Sequence, residues 1–274
     1  MSDQMVSQIR EKTYGRSAAP LIEELEARGT RIVSARQLAA IKGLEPDSAA
    51  MRSLVRRLTA SHWLVPLARR GMYEFVPVRV GVHSSNDALV ELQALAQAPN
   101  APRFQVALGT AAFLRGYADT APSLAYVLFD KNATVRPPRL RERFKVIRTN
   151  ENRLFGAEPL DSAKGVPVST ASRLFIEVAL YWRHAGDLRS RDHWLAGAIR
   201  DVDVDLVATW AETLGTGTVA RVGYLADRFG AELLRGKLAG GIKRRTEVSF
   251  GPPRHGVYDA RWHVYDAIGI GRGE

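Results

Sequence analysis

Cysteine is absent from this chain of 274 residues. That excludes a disulfide framework, a thiolate metal site and a cysteine nucleophile. Long apolar runs are missing as well: no stretch reaches the length needed to cross a bilayer, so no membrane partner is expected. The leading MSDQMVSQIREK has no apolar signal core, and the cytoplasm is the expected compartment. The fingerprints of nucleotide and hydrolase sites are also lacking. There is no P-loop, no G-x-S-x-G, no HExxH, and GTGT at 215–218 has no strand before it. No cofactor and no metal are therefore expected. Acidic residues are in deficit, 29 against 39 Lys and Arg, for a net charge of +10, which points to a polyanionic partner.

What is present is an ordinary globular composition, 46% hydrophobic and 25% charged, with length enough for two domains. PLIEELEARG reads as an amphipathic helix with Leu21, Ile22 and Leu25 inward, stopped by Gly29. In SARQLAAIKG, Ser34 and Gln37 stand in capping-box positions before a short helix ending at Gly43. A third helix starts near Asp47 or Ser48, with Met51, Leu54, Val55 and Leu58 as its buried stripe. WLVPLARRGMYEFVP alternates with period two around an Arg-Arg-Gly turn, with Trp63, Val65 and Leu67 in phase, and reads as a β-hairpin. Three helices and a hairpin in this order predict a winged helix-turn-helix over residues 1–80. Residues 81–102 read as a connecting helix and linker, and 103–274 as a mixed α/β domain with a C-terminal helical cluster. The fold class is α+β.

The arginines fall where such a domain meets DNA. On the third helix Ser48, Arg52, Arg56 and Thr59 share one face, opposite the apolar stripe, and Arg57 adjoins them. Arg69 and Arg70 sit at the hairpin tip, while Arg36 and Lys42 lie on or near the second helix. A planar guanidinium donates bidentately to guanine or phosphate, so both arginine pairs are read as facing one duplex. The bland alternative is a solvated helix face and a polar turn. Winged helices also serve as protein-interaction modules.

Other features admit two readings each. Residues 131–148 hold seven Lys and Arg against one Glu, with Arg136, Arg139, Arg141 and Arg143 as a secondary basic patch. This run is either a second polyanion or acidic-protein surface, or a loop and edge strand carrying solubilising charge. DVDVD at 201–205 invites a two-metal carboxylate reading, and with it a nucleic-acid-modifying enzyme. More simply, Asp203 is an N-cap with Asp201 and Asp205 favoured by the helix dipole. His184, Asp187, Asp192 and His193 lack any fixed ligand spacing. Tyr258, Trp262 and Tyr265 in the tail suit cross-strand packing better than base stacking.

The layout resembles one family. The wing LARRGMYEFVP precedes GTAAFLRGYADTAPSLAYVLFD, a strand-Pro/Arg-strand segment and the helix opener VPVSTASRL. In that order, over roughly residues 18–230, these are similar to the AbiEi antitoxins of type IV toxin-antitoxin systems. The resemblance implies a non-enzymatic protein whose N-terminal domain binds inverted repeats in its own promoter and represses transcription. It also implies that the C-terminal domain counters a cognate nucleotidyltransferase toxin, without a stable complex. Its site residues carry over only to Ser48, Arg52, Arg56, Arg69 and Arg70; no antitoxicity residue carries over.

Overall fold

A computed structural model describes residues 18–67, 69–77, 88–97, 101–133, 143–163, 165–185, 188–241 and 247–270. The chain divides into two compact units, with the change falling between Ala101 and Pro102.

In the first unit α1 (Ala19–Ala27) carries Pro20 in its first turn and ends before Gly29 at φ +59°. β1 (Ile32–Ser34) leads into α2 (Ala35–Lys42). Here the capping box is complete: the Gln37 N–H donates to Ser34 Oγ at 3.1 Å, and the Ser34 N–H donates to Gln37 Oε1 at 2.8 Å. Gly43 closes α2 in the left-handed region, where glycine carries no Cβ penalty. α3 (Ala49–Ala60) follows, capped by Ser48. β2 (Leu64–Pro66) and β3 (Met72–Phe75) then form an antiparallel hairpin, with Gly71 at φ +77° in the turn. β1 pairs antiparallel with β3, so the sheet order is β1-β3-β2. This order of helices and strands is compatible with a winged helix-turn-helix. The inward residues expected on α1 and α3 are the buried ones: Leu21, Ile22, Leu25, Met51, Leu54 and Leu58 share one core with Trp63 and Phe75.

The hairpin departs from its expected phase. Leu64, not Val65, is buried, because it opposes Phe75 across the ladder, and Trp63 packs just before the strand, stacked on Phe75. Leu67 joins a separate small cluster with Val90 and Ala94 of α4 (Ala88–Ala96). α4 lies in the segment read as a connecting helix and linker, and it packs within the first unit. Six consecutive α4 residues, Val90 to Leu95, are buried, which a solvated linker would not allow.

The second unit is a mixed five-stranded sheet with helices. Its strands are β4 (Phe104–Val106), β5 (Ala125–Asp130), β6 (Phe144–Thr149), β7 (Ala157–Pro159) and β8 (Pro167–Ser169). They run in the order β6-β5-β4-β8-β7, with β5/β6 and β4/β8 parallel and the other pairs antiparallel. α5 (Leu108–Leu114) follows β4, and α6 (Ala171–Tyr181) follows β8 with Thr170 as its N-cap. α7 (Leu188–Ala198), α8 (Val204–Leu214), α9 (Thr216–Arg228) and α10 (Glu232–Leu238) form the helical cluster. The fold is thus α+β with a C-terminal helical cluster, as expected. The tail, expected as one or two strands, makes a three-stranded sheet from β9 (Val248–Phe250), β10 (Val257–Asp259) and β11 (Val264–Asp266), ordered β10-β11-β9.

Candidate functional site

Ser48 holds the start of α3: its Oγ accepts the Met51 N–H at 3.1 Å. That bond satisfies one of the orphan donors of the first turn, a contribution of about 1 kcal/mol. It also commits to capping a hydroxyl that the sequence offered for base contact. Arg52 is exposed, and its guanidinium folds back to donate to the Asp47 carbonyl at 2.5 Å. One turn further, Arg56 meets the hairpin. Arg56, Thr59, Arg69 and Arg70 line one groove of about 510 Å³ between α3 and the β2–β3 turn, with Val55 and Met72 among its apolar lining. Three of the predicted arginines, from elements that a turn separates, therefore surround a single opening. Arg36 on α2 and Arg57 on α3 are exposed and Lys42 is half-buried; none of the three lines the groove.

Of the secondary patch, Arg143 is half-buried immediately before β6, and Arg136, Arg139 and Arg141 lie outside the described residues. The exposed Lys145 of β6 and Arg183 both act on half-buried His184. Burial first, then these two positive neighbours, hold that imidazole below the usual histidine range.

The second unit is organised around a buried polar network that sequence reasoning missed. Arg173 and Glu177 lie four residues apart on α6 and are both fully buried, with Nε to Oε1 at 3.3 Å. Glu177 also accepts from the Ser169 hydroxyl at 2.6 Å, the Gln105 amide at 3.1 Å and the Leu108 backbone N–H at 2.8 Å. Arg173 donates to the Arg153 carbonyl at 2.8 Å and lies over the Phe155 ring at 4.1 Å. Its Nη1 has no hydrogen-bond partner among the described residues. One carboxylate thus ties together β4, β8, α5 and α6. It also fixes Leu108, a non-glycine residue at φ +48°, by accepting its N–H. The signal in the sequence was two opposite charges at i and i+4 in the otherwise apolar RLFIEVAL.

A second opening in this unit, of about 540 Å³, is lined by Asp119, Thr120, Ser123, Tyr126 and His193 among others. His193 Nε2 lies 3.4 Å from Asp119, with both side chains largely exposed. The other members of the proposed histidine–carboxylate cluster do not join it: Asp192 pairs with Arg191, and Asp187 lies outside the described residues. The DVDVD carboxylates are each engaged separately. Asp203 Oδ1 accepts the Leu206 N–H at 3.0 Å as the N-cap of α8, Asp201 accepts from the Tyr117 hydroxyl at 2.7 Å, and Asp205 pairs with Lys237. Burial, together with the Asp201 contact, pushes the Tyr117 phenol up to about 12. Among the described residues no three His, Asp or Glu side chains gather as a metal cluster.

These geometries belong to a two-unit α+β protein. Residues 105–228 match the AbiEi antitoxin C-terminal domain, the family to which the resemblance pointed. The matched stretch contains the whole Gln105–Ser169–Glu177 network. In fold the chain is similar to the crystal structure of RV2827C protein from Mycobacterium tuberculosis. The TM-score is 0.75 at 20% identity, with 93% of each chain covered. At that identity the likeness concerns the fold alone. No curated protein matches the chain. No helix among the described residues is long and apolar enough to cross a membrane.

Proposed function

We propose that the chain is a cytoplasmic antitoxin that also regulates its own operon. Its first unit acts as a winged helix-turn-helix on duplex DNA, and its AbiEi domain counters a nucleotidyltransferase toxin. The observation that carries the DNA reading is the groove shared by Arg56, Arg69 and Arg70. In this reading α3 enters the major groove, the β2–β3 turn reaches the flanking backbone, and the strand between them crosses the groove. Arg52 reads a base edge once its contact to the Asp47 carbonyl is exchanged. Inverted repeats in the promoter then require two copies of the chain on one site.

The antitoxin reading rests on the match over 105–228. The experiment for the regulatory half is a binding titration on the DNA upstream of the gene, with salt varied, for the wild type and for arginine variants. For the antitoxin half it is growth rescue when the chain is expressed with a neighbouring nucleotidyltransferase gene. Loss of rescue when residues 102–274 are disrupted, with DNA binding retained, assigns the activity to the second unit.

A further inference from the structure

The geometry points to the α3–hairpin groove as a sugar-selective seat. It takes one deoxyribose–phosphate strand and disfavours the ribose equivalent. The inference rests on the reading of the first unit as a duplex binder and names the backbone that it accepts.

The groove has two chemically distinct parts. Its charged members are Arg56, Arg69 and Arg70. The rest of its lining is mostly carbon and thioether: Val55, Ala60, Pro66, Leu67 and Met72 contribute no polar side-chain atom beyond the Met72 sulfur. Two hydroxyls, those of Thr59 and Tyr73, complete the side-chain inventory. The apolar part is held from behind. Val55 and Tyr73 pack against the main core of the unit, Leu67 belongs to the cluster with Val90 and Ala94, and Met72 packs on that cluster. The surface is therefore formed before any ligand arrives.

A nucleic-acid strand presents matching parts. Each nucleotide alternates an anionic phosphate with a sugar, and arginine forks suit the phosphate oxygens. In DNA the C2′ edge of the sugar is hydrocarbon and loses nothing on meeting Val55 or Met72. In RNA the same edge carries a hydroxyl, both donor and acceptor, whose water is stripped against a wall with few partners.

Helix form is separated from sugar chemistry by three fluorescent duplexes of one sequence. One is all-deoxy, one carries a ribose strand, and one carries a 2′-deoxy-2′-fluoro strand, which favours A-form geometry without a hydroxyl. Anisotropy titrations of the full chain should give the tightest binding for the all-deoxy duplex. The fluoro duplex should bind at least about fivefold tighter than the ribose one, the penalty for one stranded hydroxyl. The polar near-isosteres Met72→Gln and Val55→Thr, made singly and checked for unchanged melting, should bring that ratio toward one by improving ribose binding. Equal affinity of wild type for the fluoro and ribose duplexes overturns the inference and leaves DNA binding standing. An unchanged ratio in both variants overturns it as well. Failure of the wild type to bind any duplex removes the underlying reading.

Discussion

Gly223 on α9 sits directly beneath the indole of Trp262, so close that a Cβ at 223 would overlap the ring. Trp262 is fully buried, and its Nε1 donates to Asp227, one turn further along α9. The tail sheet is therefore fastened to the helical cluster by one aromatic plate over one glycine. Tyr224 adds a second tie, donating to buried Asp266 at 2.8 Å, and burial with that contact pushes its phenol up to about 12. Gly223→Ala should destabilise the second unit by about 1–3 kcal/mol through overpacking. Urea denaturation followed by tryptophan emission checks this. An unchanged midpoint would mean that the tail is not held on this contact.

The Arg173–Glu177 pair supplies a second test. Removing one partner from a buried ion pair leaves an uncompensated charge, a loss of roughly 3–5 kcal/mol. Arg173→Met should therefore cost far more than the double change Arg173→Met with Glu177→Gln, which leaves no buried charge. Chemical denaturation of the single and double variants measures the difference. Equal losses would show that the two side chains do not act as a pair.

His184 links pH to stability. Its imidazole is held below the usual histidine value, first by burial, then by Lys145 and Arg183. Below pH about 6.5 the unfolded chain binds this proton while the folded one resists it. Stability should thus fall as pH drops through that value toward the lower folded one. His184→Gln should flatten the dependence between pH 7.5 and 5.5, as read from urea midpoints at each pH. Identical slopes in wild type and variant would contradict the assignment.

Much of the first unit was legible because its signals are local. The Ser34–Gln37 capping box, the stops at Gly29 and Gly43, and the apolar stripe on α3 each act within one helical turn. β1 was missed since its three residues show no alternation of their own; its pairing with β3, Val33 opposite Tyr73, supplies the reason for a strand. In the second unit the sheet order could not be read, because β4 lies between β5 and β8 through contacts more than twenty residues apart. α7 gives little signal in the sequence, because RHAGDLRSRDHW has no apolar period. Trp194 and Leu195 bury it nonetheless. The arginines were readable as charge, but only the fold brings Arg56 beside the hairpin turn and leaves Arg57 outside the groove.

The central claim is that Arg56, Arg69 and Arg70 grip one duplex. Its most direct test is a titration of the upstream DNA with wild type and with Arg56→Ala, Arg69→Ala and Arg70→Ala, alone and combined, across a range of salt. Each lost phosphate contact should weaken binding on any sequence and reduce the slope of log K against log salt by about one. The combined variant should fall furthest. Wild-type affinity and an unchanged salt slope in the triple variant, with its fold intact, would contradict the claim outright.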